Sequence, residues 1–438
     1  MDKFSDILTK NVRNRVFLKY NGLHGRWIAN SKLRTKKILL KNEVSTPKLI
    51  AVLKTEKAVN NFAWEKLDGN FVVKPFAGSG GEGILVIRKR ARWAGEWYLM
   101  NGDKVDISDL RFHCIDILQG QFNVRRTPDR ILIEERVKIH PKFLSFTKLG
   151  TPDIRVIVFN RVPIMAMLRI PTKESDGKAN ISHGAIGLGI DLATGITTFG
   201  VQNDKLIKKI FDRKRKKMIK VNGIKIPFWD RVLETAVNSQ QAVGELNYVG
   251  VDVLIDKEFG PMVLELNARP GLSIQICNRA GLRRRLIRVE GLKIRNATHG
   301  IRIAKALFGE SFVDQVRPDR EIKVLSPLEP IRIKTFLKSP KKTDLIAKVD
   351  TGAFRSSIDK KFAKQLGLLS KDNVLYYRHY SSALGKKHRR PVIAVEFWLS
   401  GVKITTAVNV TDRNRLRTKF LIGRKDLGGF VIRVEEIK

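Results

Sequence analysis

The stretch Gly250–Leu272 reads GVDVLIDKEFGPMVLELNARPGL and predicts a β-hairpin around which the first part of the chain is organised. Two apolar runs rich in β-branched residues, Val251–Ile255 and Met262–Leu266, flank a turn of charged residues and glycine. This arrangement is typical of two paired strands. Three polar side chains interrupt the apolar pattern: Asp252, Glu265 and Asn267.

These three polar side chains predict a metal site. Glu265 and Asn267 are two residues apart, so they point to the same face of their strand, and Asp252 on the paired strand can lie level with them. Two carboxylates and an amide oxygen are hard ligands that suit Mg²⁺ or Mn²⁺ bound to phosphate. The alternative is that Glu265 pairs with Arg269 on a solvated sheet face. The flanking apolar strands and the Pro270-Gly271 turn favour the metal site.

The same residues carry a resemblance to a known fold family. Asp252, Glu265 and Asn267, followed by Ala-Arg-Pro-Gly, resemble the metal-binding end of ATP-grasp ligases such as D-alanine-D-alanine ligases and ribosomal-protein glutamate ligases. With the continuation GLSIQICNRAGLRRRL, the chain is similar to α-L-glutamate ligase-like ATP-grasp proteins over about residues 10 to 290. The resemblance implies an α+β fold in which two subdomains sandwich ATP. It also implies ATP and Mg²⁺ (or Mn²⁺) as cofactors, and amide formation between a carboxylate and an amine.

A glycine-dense segment, NFVVKPFAGSGGEGILVI at residues 70–87, predicts a second hairpin whose loop can bind phosphate. Glycine allows backbone N–H groups to turn into a concavity that holds an anion, and Lys74 adds a positive charge shortly before the loop. An unliganded glycine-rich turn is the alternative, and the spacing fits neither a P-loop nor a Rossmann fingerprint. By resemblance this is the flexible phosphate loop, with Gly78, Ser79, Gly80, Gly81 and Gly83.

Three more nucleotide contacts are implied by the resemblance alone. Lys32 falls where ATP-grasp enzymes place a lysine that reaches the phosphates, after a helix N-cap predicted at Asn30 or Ser31. Glu134 lies at the strand edge that reads adenine, and Asp153 matches a carboxylate that binds the ribose hydroxyls. Solvated surface positions are the alternatives for Lys32 and Glu134.

The resemblance also assigns Arg155, Arg169, Lys178 and Asn180 to the reacting groups. A planar guanidinium holds carboxylate or phosphate through two hydrogen bonds, as an acyl-phosphate intermediate requires. Lys178 and Asn180 belong to a glycine-punctuated segment that resembles the family's substrate loop. Two departures from the family pattern, at Ile181–His183 and in the basic run Asp212–Lys217, leave the acid and the amine undefined.

A separate motif, Asp350-Thr351-Gly352-Ala353, follows an apolar strand near the C-terminus, and FLIGRKDLGGF at residues 420–430 supplies a second strand. Together they resemble a retropepsin-like domain of the bacterial group labelled ATP-dependent zinc proteases. The resemblance implies a small all-β barrel. The region has two histidines and no H-E-x-x-H motif, so its sequence does not support a zinc site. Because an aspartic dyad needs two carboxylates, a peptidase built on Asp350 requires a homodimer. A peptide-binding or inactive module is the alternative.

The length of 438 residues predicts more than one folded unit. We expect an ATP-grasp domain over residues 1–312, a proline-containing linker over 313–330 and a retropepsin-like domain over 331–438. Two cysteines exclude a disulfide framework, and no segment has the composition of a secretory signal or a membrane span. These features predict a cytoplasmic protein without membrane association.

The charge balance points to anionic partners. Lys and Arg number 84 against 43 acidic residues, which gives a formal net charge of +41. Such a field attracts nucleotides, acidic peptides and nucleic acid, although no nucleic-acid-binding fingerprint is present. We therefore expect an amino acid, peptide or protein substrate, acidic ones included, and weak nonspecific adhesion to nucleic acid. The alternative function is a non-catalytic, ATP-binding basic scaffold that recruits acidic peptides or nucleic acid.

Overall fold

The computed structural model describes residues 6–77, 81–123, 126–147, 150–309, 323–337, 339–381 and 387–433, apart from the side chains of residues 379–381 and 387–388. Within these ranges the chain forms an α+β unit with two antiparallel sheets, followed by a β-barrel. The mixed α/β architecture predicted for the first unit is confirmed, as is an all-β fold for the second.

Three short helices open the chain: α1 (Lys10–Arg15), α2 (Leu23–Ala29) and α3 (Lys32–Lys41). The side chain of Ser31 accepts a hydrogen bond from the backbone N–H of Arg34, so the predicted cap of α3 is confirmed at Ser31. This cap fixes the first helical residue as Lys32, one of the predicted phosphate ligands. The inner face of α3 buries Thr35, Lys36 and Leu39.

The first subdomain is a six-stranded antiparallel sheet backed by one long helix. Its sheet has the order β1-β6-β2-β3-β4-β5. Trp64, Phe71 and Trp97 are buried in its core, and the rings of Phe71 and Trp97 meet edge to face. The elements are β1 (Leu49–Leu53), α4 (Glu56–Asn60), β2 (Phe71–Pro75), β3 (Leu85–Arg90), β4 (Glu96–Leu99), β5 (Lys104–Asp106), α5 (Ile107–Leu118) and β6 (Ile131–Glu135).

The second subdomain contains a seven-stranded sheet of order β11-β10-β9-β8-β7-β14-β15, together with a separate two-stranded ribbon β12-β13. Its elements are α6 (Pro141–Leu144), β7 (Asp153–Phe159), β8 (Val162–Ile170), β9 (Ile186–Ile190), β10 (Thr197–Gln202), β11 (Lys205–Ile207), β12 (Lys209–Asp212), β13 (Lys217–Lys220), α7 (Trp229–Val243), β14 (Tyr248–Asp256), β15 (Gly260–Asn267), α8 (Ile274–Asn278), α9 (Leu282–Val289) and α10 (Ala297–Phe308). In the described part of the chain, none of the helices is both long enough and apolar enough to cross a membrane.

The hairpin predicted from Gly250–Leu272 is formed by β14 and β15, and it packs at one edge of the seven-stranded sheet. Asp252 lies directly opposite Glu265, as expected, and a β-bulge follows because Val253 pairs with Val263. Such a bulge re-aims the side chains next to it. A Cβ at Gly250 would lie only 2.8 Å from the Cβ of Pro270, so glycine is needed where the chain leaving β15 folds back over the sheet.

Asn21 fastens the N-terminal helices to this hairpin. Its side-chain amide donates to the backbone oxygens of Tyr248 at 2.7 Å and Ala268 at 3.1 Å. Its carbonyl accepts from the Tyr248 N–H at 2.7 Å. Because Asn21 is buried, these three backbone groups have no access to bulk water as a substitute partner.

The second unit is a closed barrel. Its strands run in the order β17-β18-β23-β19-β22-β21, with β17 also pairing with β21, and β20 extends the sheet beyond β21. The elements are β16 (Lys323–Leu325), β17 (Leu328–Lys334), β18 (Lys342–Asp350), β19 (Ser357–Asp359), α11 (Lys360–Gln365), β20 (Val374–Ser381), β21 (Lys387–Leu399), β22 (Val402–Thr411), β23 (Phe420–Gly423) and β24 (Phe430–Ile432).

The linker expected over residues 313–330 is wrong in its second part. Residues 313–322 lie outside the described ranges, but β16 and the start of β17 occupy positions inside the expected linker, so the barrel unit begins before residue 331. Pro330 suggested a loop because proline cannot donate to a sheet. Pro330 lies in β17 and pairs with β18. Pairing of β17 with its other neighbour, β21, begins only at Ile331, so the N–H that proline lacks is not needed for a hydrogen bond to β21.

The barrel is packed against the first unit through α10. Leu375, Val392 and Ala407 of the barrel belong to the same buried cluster as the core of the seven-stranded sheet. The ammonium of Lys425 donates to the carbonyl of Ala306, in the last turn of α10, at 2.9 Å. The two units therefore share a core and are not joined by a linker alone.

We predict that Asn21→Ala lowers the free energy of unfolding by about 2–4 kcal/mol, because it leaves the buried Tyr248 and Ala268 backbone groups without partners. Denaturant unfolding of the full chain measures this. The control Asn42→Ala removes an exposed asparagine bonded to Ile38 O within its own helix end, and should change stability by less than about 0.5 kcal/mol. Equal effects of the two substitutions would contradict the fastening role of Asn21.

Candidate functional site

The centre of the candidate site is a buried network of charges on the seven-stranded sheet. Asp252 is 1% exposed, and its carboxylate accepts hydrogen bonds from Arg155 Nε at 2.7 Å and Nη2 at 2.5 Å. Arg169 Nη2 donates to the same carboxylate at 2.8 Å and pairs through two bonds, at 2.6 and 2.5 Å, with Asp153. The predicted residues on β7, β8 and β14 are thus brought together.

The protonation of this network follows from its charges. Burial alone would raise the pKa of the Asp252 carboxyl, but Arg155 and Arg169 outweigh that effect and hold the pKa below its usual range. Burial and the neighbouring Asp252 carboxylate raise the pKa of Glu265. Burial raises the pKa of Asp153 to about 6, although Arg169 opposes the rise. Two arginines therefore balance only two of the three crowded carboxyls when all are ionised.

Asn267 joins the two strands of the hairpin at this point. Its amide nitrogen lies 3.2 Å from Asp252 Oδ2 and 3.2 Å from Glu265 Oε1. In the described residues, no group of three or more histidine, cysteine, aspartate and glutamate side chains is arranged to hold a metal ion. The predicted set contains only two such residues, and its third ligand is an amide. Asn267 presents its nitrogen to both carboxylates, so its oxygen becomes a ligand only when the amide rotates. With that rotation, two carboxylates and an amide oxygen fit Mg²⁺, which takes oxygen ligands and retains several waters.

A second charge cluster lies on the first subdomain. The Glu134 carboxylate, 3% exposed, bridges Lys74 Nζ at 2.6 Å and Lys36 Nζ at 2.7 Å. Burial alone would raise the pKa of Glu134, but Lys74 and Lys36 outweigh it and hold the pKa low. Lys32 Nζ donates to the carbonyl of Pro75, immediately after Lys74, at 2.9 Å. Both predicted phosphate lysines therefore meet where β2 leads into the glycine-rich loop, while an adenine contact by Glu134 stays a prediction.

The ends of the glycine-rich loop are fixed by side chains. The Ala77 N–H donates to both carboxylate oxygens of the buried Asp129, at 2.9 and 3.1 Å. At the other end, His113 Nε2 lies 2.9 Å from the carbonyl of Gly83. Gly78, Ser79 and Gly80 lie outside the described residues. A Cβ placed on Gly81 would be 3.1 Å from Cγ of Lys178, so the loop approaches the second subdomain at this residue.

The predicted substrate loop is tied at its base by Thr172. The Thr172 N–H donates to Ser175 Oγ at 2.9 Å, and its hydroxyl donates to the carbonyl of Gly184 at 2.9 Å. Its carbonyl accepts from the Gly177 N–H at 3.1 Å. Asn180 caps the short helical turn that follows, accepting from the Ser182 N–H at 3.2 Å. Lys178 is thereby held beside Gly81 by a loop closed at both ends.

The Asp350 region forms a separate, tightly built turn in the barrel. Asp350 Oδ1 accepts from the N–H groups of Gly352 at 2.9 Å and Ala353 at 3.1 Å. Strand β18 runs parallel to β23 and places Asp350 beside Gly423. The Arg424 N–H donates to the carbonyl of Ala353 at 2.9 Å, so the two quoted barrel motifs lie side by side. A Cβ on Gly423 would meet the Arg355 backbone at 2.4 Å, and only glycine fits there.

Sequence reasoning missed Lys36, Asp129 and Thr172. Lys36 and Lys32 are four residues apart on one helix, so the helical period already places them on one face. Asp129 lies two residues before β6, and nothing in the neighbouring sequence indicates that its carboxylate binds the Ala77 N–H. Thr172 lies in an ordinary polar turn, and its role depends on Gly184, twelve residues further along the chain.

Comparisons with known proteins give one family match and several distant solved structures. Residues 11–291 match the family model described as sugar-transfer associated ATP-grasp. Similar solved structures include the D-alanine-D-alanine ligase from Bacillus anthracis complexed with ATP, with 18% identity over 61% of this chain and 68% of that chain and a TM-score of 0.35. The ATP-grasp ligase PsnB, complexed with a phosphomimetic variant of minimal precursor, Mg and ADP, has 18% identity over 61% of each chain and a TM-score of 0.31. The L-amino acid ligase from Bacillus licheniformis has 13% identity over 60% of this chain and 48% of that chain, with a TM-score of 0.33.

These structural likenesses are weak, and this chain covers less than two thirds of PsnB and of the L-amino acid ligase. No curated protein matches the sequence. The family model, in contrast, spans more than half of the chain and contains every predicted nucleotide, metal and substrate residue. On that match, the chain belongs to the sugar-transfer associated ATP-grasp family.

Proposed function

We propose that this chain is an ATP-dependent ligase that joins a carboxylate to an amine through an acyl phosphate. The observation that carries the proposal is the position of Lys32, which interacts electrostatically with Lys74 and Glu134 of one subdomain and with Glu265 of the other. The two charge clusters are therefore close enough for Lys32 to be affected by both. Cations from one side and carboxylates from the other are the components that phosphoryl transfer from a metal-bound nucleotide requires.

ATP-grasp ligases use ATP and Mg²⁺, and we assign their sites from the residues described above. Asp252, Glu265 and Asn267 would hold Mg²⁺, and Lys32, Lys74 and the loop over residues 77–83 would hold the phosphates. The bound metal ion would supply positive charge to phosphate oxygens during transfer. Asp153, half of a buried ion pair with Arg169, lies beside the arginines that would orient the reacting carboxylate.

The proposed reaction has two steps. A substrate carboxylate oxygen attacks the γ-phosphorus of ATP, the bond to the bridging oxygen breaks, and ADP leaves. An amine then attacks the acyl carbon, phosphate leaves, and the nitrogen loses a proton. Lys178 beside Gly81 and the two arginines supply cations around the transferring group, where charge is spread over several oxygens and acid-base chemistry contributes little. An amino acid or a peptide is the substrate class that we propose, with glutamate as one candidate.

We predict that Lys74→Ala and Glu265→Ala each lower carboxylate-dependent ADP release by at least about 100-fold, because the first removes a cation at the phosphates and the second removes a ligand of the metal ion that binds them. The assay combines a panel of amino acids and peptides with hydroxylamine, which converts an acyl phosphate into a hydroxamate. The control Lys37→Ala removes an exposed lysine from the outer side of α3 and should leave the rate unchanged. ADP release that is unchanged in both site variants would overturn the ligase. Nucleotide binding without turnover across the panel would instead favour a basic scaffold.

We predict that nucleotide affinity weakens as the pH rises through about 8. Burial, and after it the neighbouring Lys74, lower the pKa of Lys32 to about 8, so its ammonium is charged below that pH and neutral above it. A bound triphosphate favours the charged form, so the dissociation constant should rise by up to about tenfold per pH unit above 8. Lys32→Arg should flatten this dependence, because guanidinium stays protonated. Titrations with ATP at pH 7 to 9.5 measure how the dissociation constant depends on pH, with Lys37→Arg as the control.

If the dissociation constant for ATP rose with pH as steeply in Lys32→Arg as in the unsubstituted chain, a group other than Lys32 would be responsible. The barrel contains a second lysine with a pKa lowered to about 8, Lys425, whose ammonium is buried against Ala306. It lies in the other unit, and Lys425→Met separates its contribution from that of Lys32.

For the barrel we propose a retropepsin-like module that binds or cleaves a peptide as a homodimer. Support comes from the turn in which Asp350 accepts two backbone N–H groups, laid against the Gly423-Arg424 strand end. Next to it, the ring of Phe354 is half exposed, and the Arg424 guanidinium lies over it at 5.8 Å. One chain supplies one such aspartate, so a second copy is needed for a dyad that shares a proton.

We predict that Asp350→Asn abolishes peptide cleavage by the purified full chain while leaving its secondary structure unchanged, because the amide oxygen can still accept the two N–H bonds. Mass spectrometry of candidate peptides after incubation measures cleavage. Phe354→Ser, expected to weaken self-association, should reduce cleavage most at low protein concentration, as sedimentation would show. Identical cleavage products from the unsubstituted chain and from Asp350→Asn would exclude a peptidase role for Asp350, and peptide binding would then be the proposed function of the barrel.

A further inference from the structure

The basic run that departs from the family pattern forms the turn of a separate β-ribbon. Its strands, β12 and β13, pair with each other and belong to neither of the two large sheets. The stretch from Lys205 to Lys220, which ends with this ribbon, carries nine lysines and arginines and a single acidic residue, Asp212. None of the nucleotide, metal or substrate residues assigned above lies in this stretch, so the proposed ligase reaction does not account for its charge.

The register of the ribbon separates an inner face from an outer face. Ile210 lies opposite Ile219, and both pack against the core of the seven-stranded sheet. Because successive side chains of a strand alternate, Phe211 and Met218, which also lie opposite each other, point to the outer face. They are 51% and 53% exposed. The Cβ atoms of directly opposed residues are about 4.5–5.5 Å apart, so these two side chains form one exposed apolar patch.

Cations border this apolar patch at both ends of the ribbon. Lys209 and Lys220 lie opposite each other on the same outer face, two residues before Phe211 and two residues after Met218. At the other end, the turn over residues 213–216 reads Arg-Lys-Arg-Lys, and all four residues are exposed. Like charges that lie directly opposite each other destabilise a pair of strands, so the two opposed lysines do not help the ribbon to fold. An anion outside the ribbon would compensate them.

The acidic residue of the ribbon is withdrawn from this surface. Asp212 is 5% exposed, and its carboxylate accepts a hydrogen bond from the Arg215 N–H at 3.1 Å. The start of the turn is also fixed, because the Arg213 N–H donates to the carbonyl of Ser145 at 2.8 Å and its guanidinium donates to the carbonyl of Thr147 at 3.0 Å. The ribbon therefore presents cations and an apolar pair on a fixed support.

An apolar pair between cations fits an anionic bilayer better than a nucleic acid. At a membrane interface, apolar side chains enter the boundary of the acyl chains while lysine and arginine stay at the phosphates, and each cation adds to the attraction. A base can stack on the Phe211 ring, but Met218 has no ring and is similarly exposed. Reading a duplex requires hydrogen-bonding side chains at the base edges, and the middle of this face is apolar.

We propose that the ribbon β12-β13 docks this protein on a membrane surface that contains anionic lipids. Phe211 and Met218 enter the interface, while Lys209, Lys220 and the turn over residues 213–216 bind the headgroup phosphates. This contact is independent of the proposed ligase reaction, and it needs one exposed face of the protein rather than a spanning helix. It departs from the expectation of no membrane association, which came from the lack of a signal or spanning segment in the sequence.

The apolar part of the surface is tested with single substitutions. Phe211→Ser has a matched control in Phe112→Ser, at a phenylalanine of α5 that is 70% exposed. Phe211 also lines a cavity of about 650 Å³ beside the ribbon, and Met218 is not among the described residues that line it. A loss of binding in Met218→Ser therefore reports on the outer face and not on the cavity.

The cationic part is tested with paired substitutions. Lys209→Gln with Lys220→Gln removes the opposed lysines, and Lys37→Gln with Lys41→Gln removes the same charge from exposed positions of α3. Because all of these side chains are exposed, we expect every variant to fold, and denaturant unfolding checks this.

Binding of the full chain is measured by sedimentation with phosphatidylcholine vesicles, with and without phosphatidylserine. We expect binding at least about tenfold tighter when phosphatidylserine is present. Phe211→Ser and Met218→Ser should each weaken it by about fivefold at any salt concentration, because lost apolar area is not screened. Loss of the opposed lysines should weaken it by about tenfold at low salt and by less at high salt. Both control variants should bind nearly as the unsubstituted chain does.

Equal binding with and without phosphatidylserine would overturn the inference, as would losses in the controls as large as those in the ribbon variants. Single-stranded RNA provides the competing outcome. If the ribbon variants bound RNA more weakly but anionic vesicles as well as before, the ribbon would be a nucleic-acid surface and the membrane contact would be excluded.

Discussion

A buried negative charge in the middle of a β-sheet is the constraint on which the candidate site depends. The Asp252 carboxylate is almost fully removed from water, and it is tolerated there because Arg155 and Arg169 donate three hydrogen bonds to it. Arg169 needs a second carboxylate of its own, which Asp153 provides. Removing one partner from such a group leaves an unpaired buried charge, which costs more than the pair gains. The arrangement of β7, β8 and β14 is thereby fixed by charge as well as by packing.

This network also determines what the sheet can bind. Three carboxyls and two guanidiniums leave a residual negative charge when all are ionised, and Glu265 lies directly opposite Asp252 in the hairpin. A divalent cation bound at that position, as proposed above, would complete the charge balance. In the other cluster, Lys32, Lys36 and Lys74 lie near the single carboxylate of Glu134 and leave an excess of positive charge. The two subdomains therefore present opposite excess charges, which suits a ligand that is itself a metal-bound polyanion.

The sequence predicted the elements whose signals are local. The alternation of β14 and β15, the turn between them and the Ser31 cap follow from side-chain period and capping chemistry, and the structure confirms all three. The roles of Asp252, Glu265 and Lys74 were predicted from residue chemistry and that of Lys32 from family resemblance alone. All four remain predictions, although the structure brings these residues together. What could not be predicted depends on residues far apart in sequence, such as Asp129 with Ala77, or the shared core between α10 and the barrel.

The bridge from Lys36 through Glu134 to Lys74 has an evolutionary consequence. If Glu134 alone were replaced, two ammonium groups would be left together in a buried place. If either lysine alone were replaced, one carboxylate oxygen would lose its buried ion-pair partner. Each single change is therefore disfavoured whichever residue changes first, whereas a joint replacement by uncharged residues of similar volume is tolerated more easily. Relatives of this chain should consequently keep all three residues or none, and the trio should be inherited as a unit.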